Sequence, residues 1–157
     1  MKKWIFLLII LFCFFGQAGF PELLRVFGVS ADLLFICVVA SSLFFGRKTA
    51  VLFGLLCGIL KDLLDIQIFG IHTLLFTLIS LLLAELSRRL SVENNYLAAV
   101  IVFLAGLIYA VLARLVFNYI DNVIPLGIFL RIAVLQAIYS AFLFSLFFRF
   151  LKKVIGP

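Results

Sequence analysis

The residues best suited to chemistry lie in one short stretch, GILKDLLDIQIFGIHT, at positions 58–73. It contains one lysine, two aspartates and the single histidine of a chain that is 67% hydrophobic. Neighbouring aspartates can divide acid and base roles in catalysis, and histidine can transfer a proton near neutral pH. The stretch is therefore consistent with three roles: a reacting site, a ligand site or a structural rim that other molecules contact.

The ends of other apolar segments place further polar residues near this stretch. Asp32 begins the second segment, Arg114 lies close to the end of the fifth, and Arg131 begins the sixth. An ionised side chain near the centre of a bilayer costs about 2.5–3.5 kcal/mol, so charges kept there usually pair or face a cavity. We expect a polar ring at one membrane level, which we call the rim: Asp32, Lys61, Asp62, Asp65, Gly70, His72, Arg114 and Arg131.

Two carboxylates of the rim need a cation. Asp62 and Asp65 lie at the C-terminal end of a predicted helix, where the helix dipole disfavours negative charge. We therefore expect a basic partner, for which Lys61, Arg114 and Arg131 are the candidates. For Asp62 in particular we expect Arg114 or Arg131. Asp32, by contrast, lies at a helix start, where the dipole favours an anion.

The rim does not match known catalytic patterns. The sequence has no Ser-His-Asp order, no HExxH, no histidine pair with metal spacing and no glycine-rich phosphate loop. A single histidine at a helix start is more often a structural hydrogen-bonding group than a base. We therefore predict no catalytic residue, no metal and no cofactor, and we interpret the rim as a structural or partner-docking surface.

The composition indicates that lipid, and not water, surrounds most of this chain. Its mean hydropathy is +1.37, and only 13% of its residues are charged, whereas soluble domains have about 25%. A chain of 157 residues could not bury so much apolar surface in water. The net charge of +6 comes from basic residues at the ends of apolar runs, which is typical of a membrane surface and not of nucleic-acid binding.

Six apolar segments are candidate membrane spans, since about 20 apolar residues cross a bilayer. They cover residues 4–20, 31–46, 49–65, 70–87, 96–117 and 127–150. With both termini in the cytoplasm, nine lysines and arginines lie on that side and four on the other. We expect a single integral membrane domain over residues 1–157. The first segment also resembles a signal peptide, but we expect it to remain as a span.

Small residues recur at helical spacing within these segments. Lipid provides no hydrophobic drive between helices, so close backbone approach must hold them together. The sequence therefore predicts a compact six-helix bundle packed along these positions: Gly54, Gly58, Gly106, Ala110, Ala133, Ala137 and Ala141.

Residues 31–90 resemble the rod-shape-determining MreD family. The matching features are Asp-Leu-Leu at the start of the second segment and a short basic turn after Gly46. A glycine-rich third segment then ends in Lys-Asp-Leu-Leu, a glycine precedes the fourth, and paired arginines follow it. Ala31 stands where many members have proline.

The resemblance implies a multi-pass protein of the bacterial cytoplasmic membrane. Such proteins are non-enzymatic scaffolds of the elongasome, the machinery for cell shape and peptidoglycan synthesis. The implied direct partner is an MreC-like membrane protein. Through it the chain would be linked indirectly to MreB filaments, RodA and a penicillin-binding transpeptidase. Membrane lipid is the other expected contact. The implied fold is similar to the six-helix S-component of energy-coupling-factor transporters.

That likeness leaves one alternative, a vitamin-binding S-component. An S-component would carry small residues on its first segment for docking the coupling subunit, but IFLLIILFCFFG is bulky throughout. It would also have a longer polar outer loop over the ligand, whereas residues 21–30 are few and largely apolar. Both features favour the scaffold.

Overall fold

The computed structural model describes residues 2–19, 25–26, 29–30, 32–64, 69–89, 95–118 and 125–155. Two short strands, β1 (Arg25–Val26) and β2 (Val29–Ser30), form an antiparallel pair. All other regular structure in these ranges is helical, which confirms the all-α prediction. The six helices are α1 (Lys2–Gly19), α2 (Leu33–Phe44), α3 (Arg47–Leu64), α4 (Ile71–Arg89), α5 (Asn95–Asn118) and α6 (Leu126–Ile155).

Four segments of the described chain are long and apolar enough to cross a membrane: Lys2–Gly19, Ile71–Arg89, Tyr96–Val116 and Gly127–Lys153. The helix α3 is equally long, but it carries charge near both ends. These features define a polytopic membrane protein. The number of crossings and the cytoplasmic position of both termini stay predictions.

The helix α2 lies at the centre of the molecule. It contacts α1, α3, α4, α5 and α6, and every residue from 34 to 42 is buried. A helix that is apolar all round belongs in a core. It has 12 residues and is about 18 Å long, which is shorter than the predicted segment at 31–46. The helix begins after Asp32, which caps it, and its last hydrogen bond joins the Phe45 N–H to the Ser41 carbonyl.

The helices α3 and α4 form a tightly packed hairpin. A Cβ atom on Gly54 would lie 2.7 Å from the Ser80 Cβ, and one on Gly58 would lie 2.9 Å from the Thr73 backbone nitrogen. Real Cβ atoms do not approach other atoms so closely. Only glycine at these two positions lets the backbones come together, and this contact fixes α3 beside the start of α4.

The helices α5 and α6 form a second packed pair. Gly106 faces Ala137, at a distance that would leave a Cβ atom 3.4 Å from the alanine Cβ. Ala133 and Ala137 are buried, whereas Ala110 and Ala141 are partly buried. This pair packs less tightly than α3 and α4, because a methyl group added at Gly106 would lie at nearly the ordinary van der Waals distance from Ala137.

Candidate functional site

The carboxylate of Asp62 is fully buried and caps the start of α4. Its Oδ1 accepts a hydrogen bond from the His72 N–H at 3.0 Å, and its Oδ2 accepts one from the Thr73 N–H at 3.0 Å. The Thr73 hydroxyl also donates to Oδ2. Gly70 occupies the N-cap position, with a φ of 102°, and has no side chain that could cap the helix. Asp62 therefore performs this function from the neighbouring helix.

This geometry corrects the expected pairing of Asp62 with Arg114 or Arg131. The expectation considered the dipole of α3 alone, whose C-terminal end disfavours an anion. The N-terminus of α4 lies beside it and supplies free N–H groups together with the positive end of a second dipole. The buried charge is thus compensated by backbone donors in place of an arginine.

Asp32 links the start of a second helix, α2, to α3. Its Oδ1 accepts a hydrogen bond from the Phe35 N–H at 3.2 Å, so it is the N-cap of α2. Its Oδ2 lies 3.0 Å from the Lys61 Nζ. The aspartate is buried and the lysine is mostly buried, so water screens this ion pair much less than a surface pair.

The last turn of α3 therefore holds the starts of two other helices. Lys61 binds the N-cap of α2, and the next residue, Asp62, caps α4. We call these four residues the clamp: Asp32, Lys61, Asp62 and Thr73. Three helices are fixed relative to one another at this point by charge and hydrogen bonding.

His72 lies beside the clamp, and its side chain faces α5. Its Nδ1 is 2.8 Å from the Tyr109 hydroxyl oxygen, within hydrogen-bonding distance, and both side chains are buried. The Tyr109 ring also packs on Phe35 and Phe76, with ring centroids 5.4 and 5.3 Å away. Tyr109 was not among the predicted site residues. The available signal was a tyrosine three residues after Gly106, on the face of α5 that small residues mark for packing.

A small polar cavity lies between α2, α5 and α6. It has a volume of about 10 Å³, enough for about one water molecule. Asp32, Tyr109, Gln136 and Ser140 contribute polar groups to its wall. The cavity extends the polar interior from the clamp towards α6.

The remaining rim residues are distributed differently. The Arg114 guanidinium carbon lies 4.3 Å from the centroid of the Phe129 ring, a cation–π contact between α5 and α6. Arg131 is exposed on α6 beside Leu130 and Val134. Asp65 lies outside the described residues. The structure thus brings Asp32, Lys61, Asp62, Gly70 and His72 together, while the two arginines belong to the α5–α6 pair.

The opposite end of the hairpin carries a different set of charges. Glu85 lies 3.8 Å from an Arg47 nitrogen and 3.9 Å from an Arg89 nitrogen. All three side chains are about half exposed or more. Such long, exposed pairs contribute little to stability.

The clamp is arranged for holding and not for reacting. Both oxygens of Asp62 accept hydrogen bonds from fixed donors, and Asp32 is shared between a helix start and a lysine. Within the described ranges, no group of three or more histidine, cysteine, aspartate or glutamate residues could hold a metal ion. The chemistry that this geometry supports is the positioning of helices.

An open groove follows the outer surface of the hairpin, and we call it the α3–α4 groove. Its volume is about 550 Å³. Val51 and Ile59 line it from α3, and Thr77, Leu78 and Leu81 line it from α4. Thr73 belongs both to this groove and to the clamp, and Gly70 lines the groove just before α4, so the polar end of the hairpin continues into an apolar surface.

Helices of this length and hydropathy, packed around a buried central helix, define an all-helical polytopic membrane protein. A family model described as rod shape-determining protein MreD matches residues 1–154 of the 157-residue chain. The chain belongs to the MreD family, whose role is in determining rod shape. Neither the curated proteins nor the solved structures contain a match to it. The likeness to the S-component fold therefore stays a prediction.

Proposed function

We propose that this chain is a non-enzymatic scaffold of the elongation machinery in the bacterial cytoplasmic membrane. The match to the MreD family over residues 1–154 is the observation that carries the proposal. The direct partner is an MreC-like membrane protein. Through this partner the scaffold connects MreB filaments on the cytoplasmic side with RodA and a penicillin-binding transpeptidase.

The α3–α4 groove is the docking surface that we propose for a helix of the partner. Gly70, Thr73 and Thr77 are small residues on one face of α4, and small residues let a second helix approach closely. Leu74 and Leu78 are exposed beside them, at 64% and 43%. They would contact a helix lying along the groove, in the manner of helix-in-groove recognition.

The clamp supports the docking role because it keeps this surface rigid. The Thr73 hydroxyl donates to Asp62, and the Thr77 hydroxyl donates to the Thr73 carbonyl at 2.7 Å. Both hydroxyls are therefore satisfied inside the chain, and the groove presents a mainly apolar surface. A preformed surface loses less conformational entropy when a partner binds.

Two features favour a scaffold over an enzyme or a transporter. The buried carboxylates already hold helix starts, which leaves them poorly placed for proton transfer to a substrate. The polar cavity beside Asp32 has room for about one water molecule, far less than the 300–1,000 Å³ of a typical small-molecule site.

Co-purification tests the proposal. We expect an MreC-like protein expressed with this chain to be recovered with it from detergent. The double variant Leu74→Ala/Leu78→Ala removes two exposed groove side chains and is expected to weaken recovery about tenfold, as for the loss of roughly 1.4 kcal/mol of binding. The matched control is Leu104→Ala/Ile108→Ala on α5, where the exposed fractions are 52% and 51%.

The control variant is expected to retain the partner at the wild-type level. Equal loss in both variants would mean that the groove has no special role. Recovery of the chain alone with a small vitamin enclosed would overturn the scaffold function itself.

A further inference from the structure

A second groove lies on the other side of the molecule, between α1, α2 and α6. Its volume is about 350 Å³ and its walls are apolar. From α1 it is lined by Phe6, Ile9, Cys13 and Gly16, with Cys37 of α2 at its floor. Leu151 of α6 closes it near the start of α1. We call it the α1–α6 groove, and the partner surface proposed above does not include it.

The length of the α1–α6 groove matches one leaflet of a membrane. Phe6 and Gly16 are ten residues apart, which corresponds to about 15 Å along a helix. The hydrocarbon core of a bilayer is about 30 Å thick, so the groove extends through about half of it. A single acyl chain of a phospholipid occupies this depth, whereas a transmembrane helix would need the full thickness.

Positive charge lies beside the end of the groove at Phe6 and Leu151. Lysines precede Phe6 by one helical turn on α1, and two more follow Leu151 directly on α6. All four are exposed: Lys2, Lys3, Lys152 and Lys153. Basic residues next to an apolar groove are complementary to a lipid with a negative headgroup, since each such residue near a membrane surface attracts anionic lipid.

We propose that the α1–α6 groove binds one anionic phospholipid. One acyl chain lies between α1 and α6 against α2, and the phosphate contacts the lysines at the start of α1 and the end of α6.

Native mass spectrometry of the detergent-purified full chain tests the proposal. The probes are phosphatidylglycerol and phosphatidylcholine with the same palmitoyl and oleoyl chains. We expect one phosphatidylglycerol molecule to be retained per chain, with at least about tenfold tighter binding than phosphatidylcholine. Equal retention of the two lipids would overturn the proposal, because it would show ordinary lipid around the protein.

A filling variant tests the groove itself. A Cβ atom at Gly16 would meet nothing within 4 Å, so Gly16→Leu places a side chain into open groove space. We expect about tenfold weaker binding of phosphatidylglycerol, because the leucine displaces several methylenes of the chain. Gly19→Leu is the matched control, since Gly19 is equally open and lies outside the groove. Unchanged binding in Gly16→Leu, or equal loss in both variants, would overturn the proposal.

A charge variant tests the headgroup contact. Lys152→Gln/Lys153→Gln is expected to remove most of the preference for phosphatidylglycerol while leaving phosphatidylcholine binding unchanged. Arg88→Gln/Arg89→Gln, at the end of α4, removes the same charge away from the groove and is expected to keep the preference. If the arginine variant lost the preference to the same extent, general surface charge would explain the binding, and the assigned site would be wrong.

Discussion

The two ends of the α3–α4 hairpin use the same residue types in opposite ways. At the clamp, Asp62 is buried and bound by donors of α4, and Lys61 pairs with a buried aspartate at 3.0 Å. At the other end, Glu85 faces Arg47 and Arg89 at 3.8 and 3.9 Å in exposed positions. The first end fixes three helices, whereas the second is an exposed salt ladder that water and ions screen.

The difference shows that burial, and not the number of charges, determines where this molecule is held together. A carboxylate out of water must be matched closely, so its partners become geometrically defined. The proposed α3–α4 groove begins at the clamp end of the hairpin, where Gly70 and Thr73 line it. Buried contacts fix the shape of the docking surface at this end of the hairpin.

The substitution Asp62→Asn tests the buried end most severely. The amide would place an NH2 group against donors of α4 and leave at least one of them without an acceptor. We expect a loss of about 3 kcal/mol in unfolding free energy, as for a broken buried network with a charged acceptor. Unfolding in mixed detergent micelles, followed by circular dichroism, measures it. A change of less than about 0.5 kcal/mol would contradict the capping role of Asp62.

The substitution Gly58→Ala tests the close approach that places Asp62 beside α4. The new methyl group would lie 2.9 Å from the Thr73 nitrogen, so the backbones must separate. We expect a cost of about 1–3 kcal/mol, typical of overpacking. Gly16→Ala serves as the control, because its methyl group meets nothing within 4 Å. The same unfolding assay should show no loss for the control, and equal losses would refute the argument from packing.

The substitution Glu85→Gln tests the exposed end. Two long, exposed ion pairs are removed, and we expect a change of less than about 1 kcal/mol. The difference from wild type should also shrink as salt is raised from 0.01 to 0.5 M, roughly from a 30 Å Debye length to well below 10 Å. A large effect that persists at high salt would show that the two ends are not distinct after all.

The fold was largely predictable from the sequence, because hydropathy and length determine helices in a membrane protein. The six apolar segments correspond to six helices in the described chain. The greatest difference is at α6, which continues to Ile155 beyond the predicted end at 150, whereas α2 is shorter than predicted. The predicted ends of α2 at 31 and 46 were too wide, since apolar composition continues past Phe44 while the helix does not. The position of Asp32 at a helix start was also readable from the sequence.

The partners of the site could not be predicted in the same way. Asp62 is ten residues from His72. Gly54 and Gly58 predict close packing of α3, but the sequence does not indicate that the start of α4 is the helix end that Asp62 meets. A cation was therefore predicted for the Asp62 carboxylate, whose charge backbone N–H groups of α4 compensate. The contact between His72 and Tyr109 joins positions 37 residues apart and depends on how α4 and α5 pack.

The central helix also constrains how the protein is made. At about 18 Å, α2 is too short to cross the hydrocarbon layer by itself, and it has little apolar surface left to offer lipid once folded. Chains are synthesised from the N-terminus, so α2 leaves the ribosome before α3 and α4, the two helices of the hairpin. Its contacts with α3 and α4 can form only after the hairpin has been synthesised. We therefore expect substitutions that disrupt the hairpin to cause failed insertion and degradation of newly made chains before they alter any mature complex.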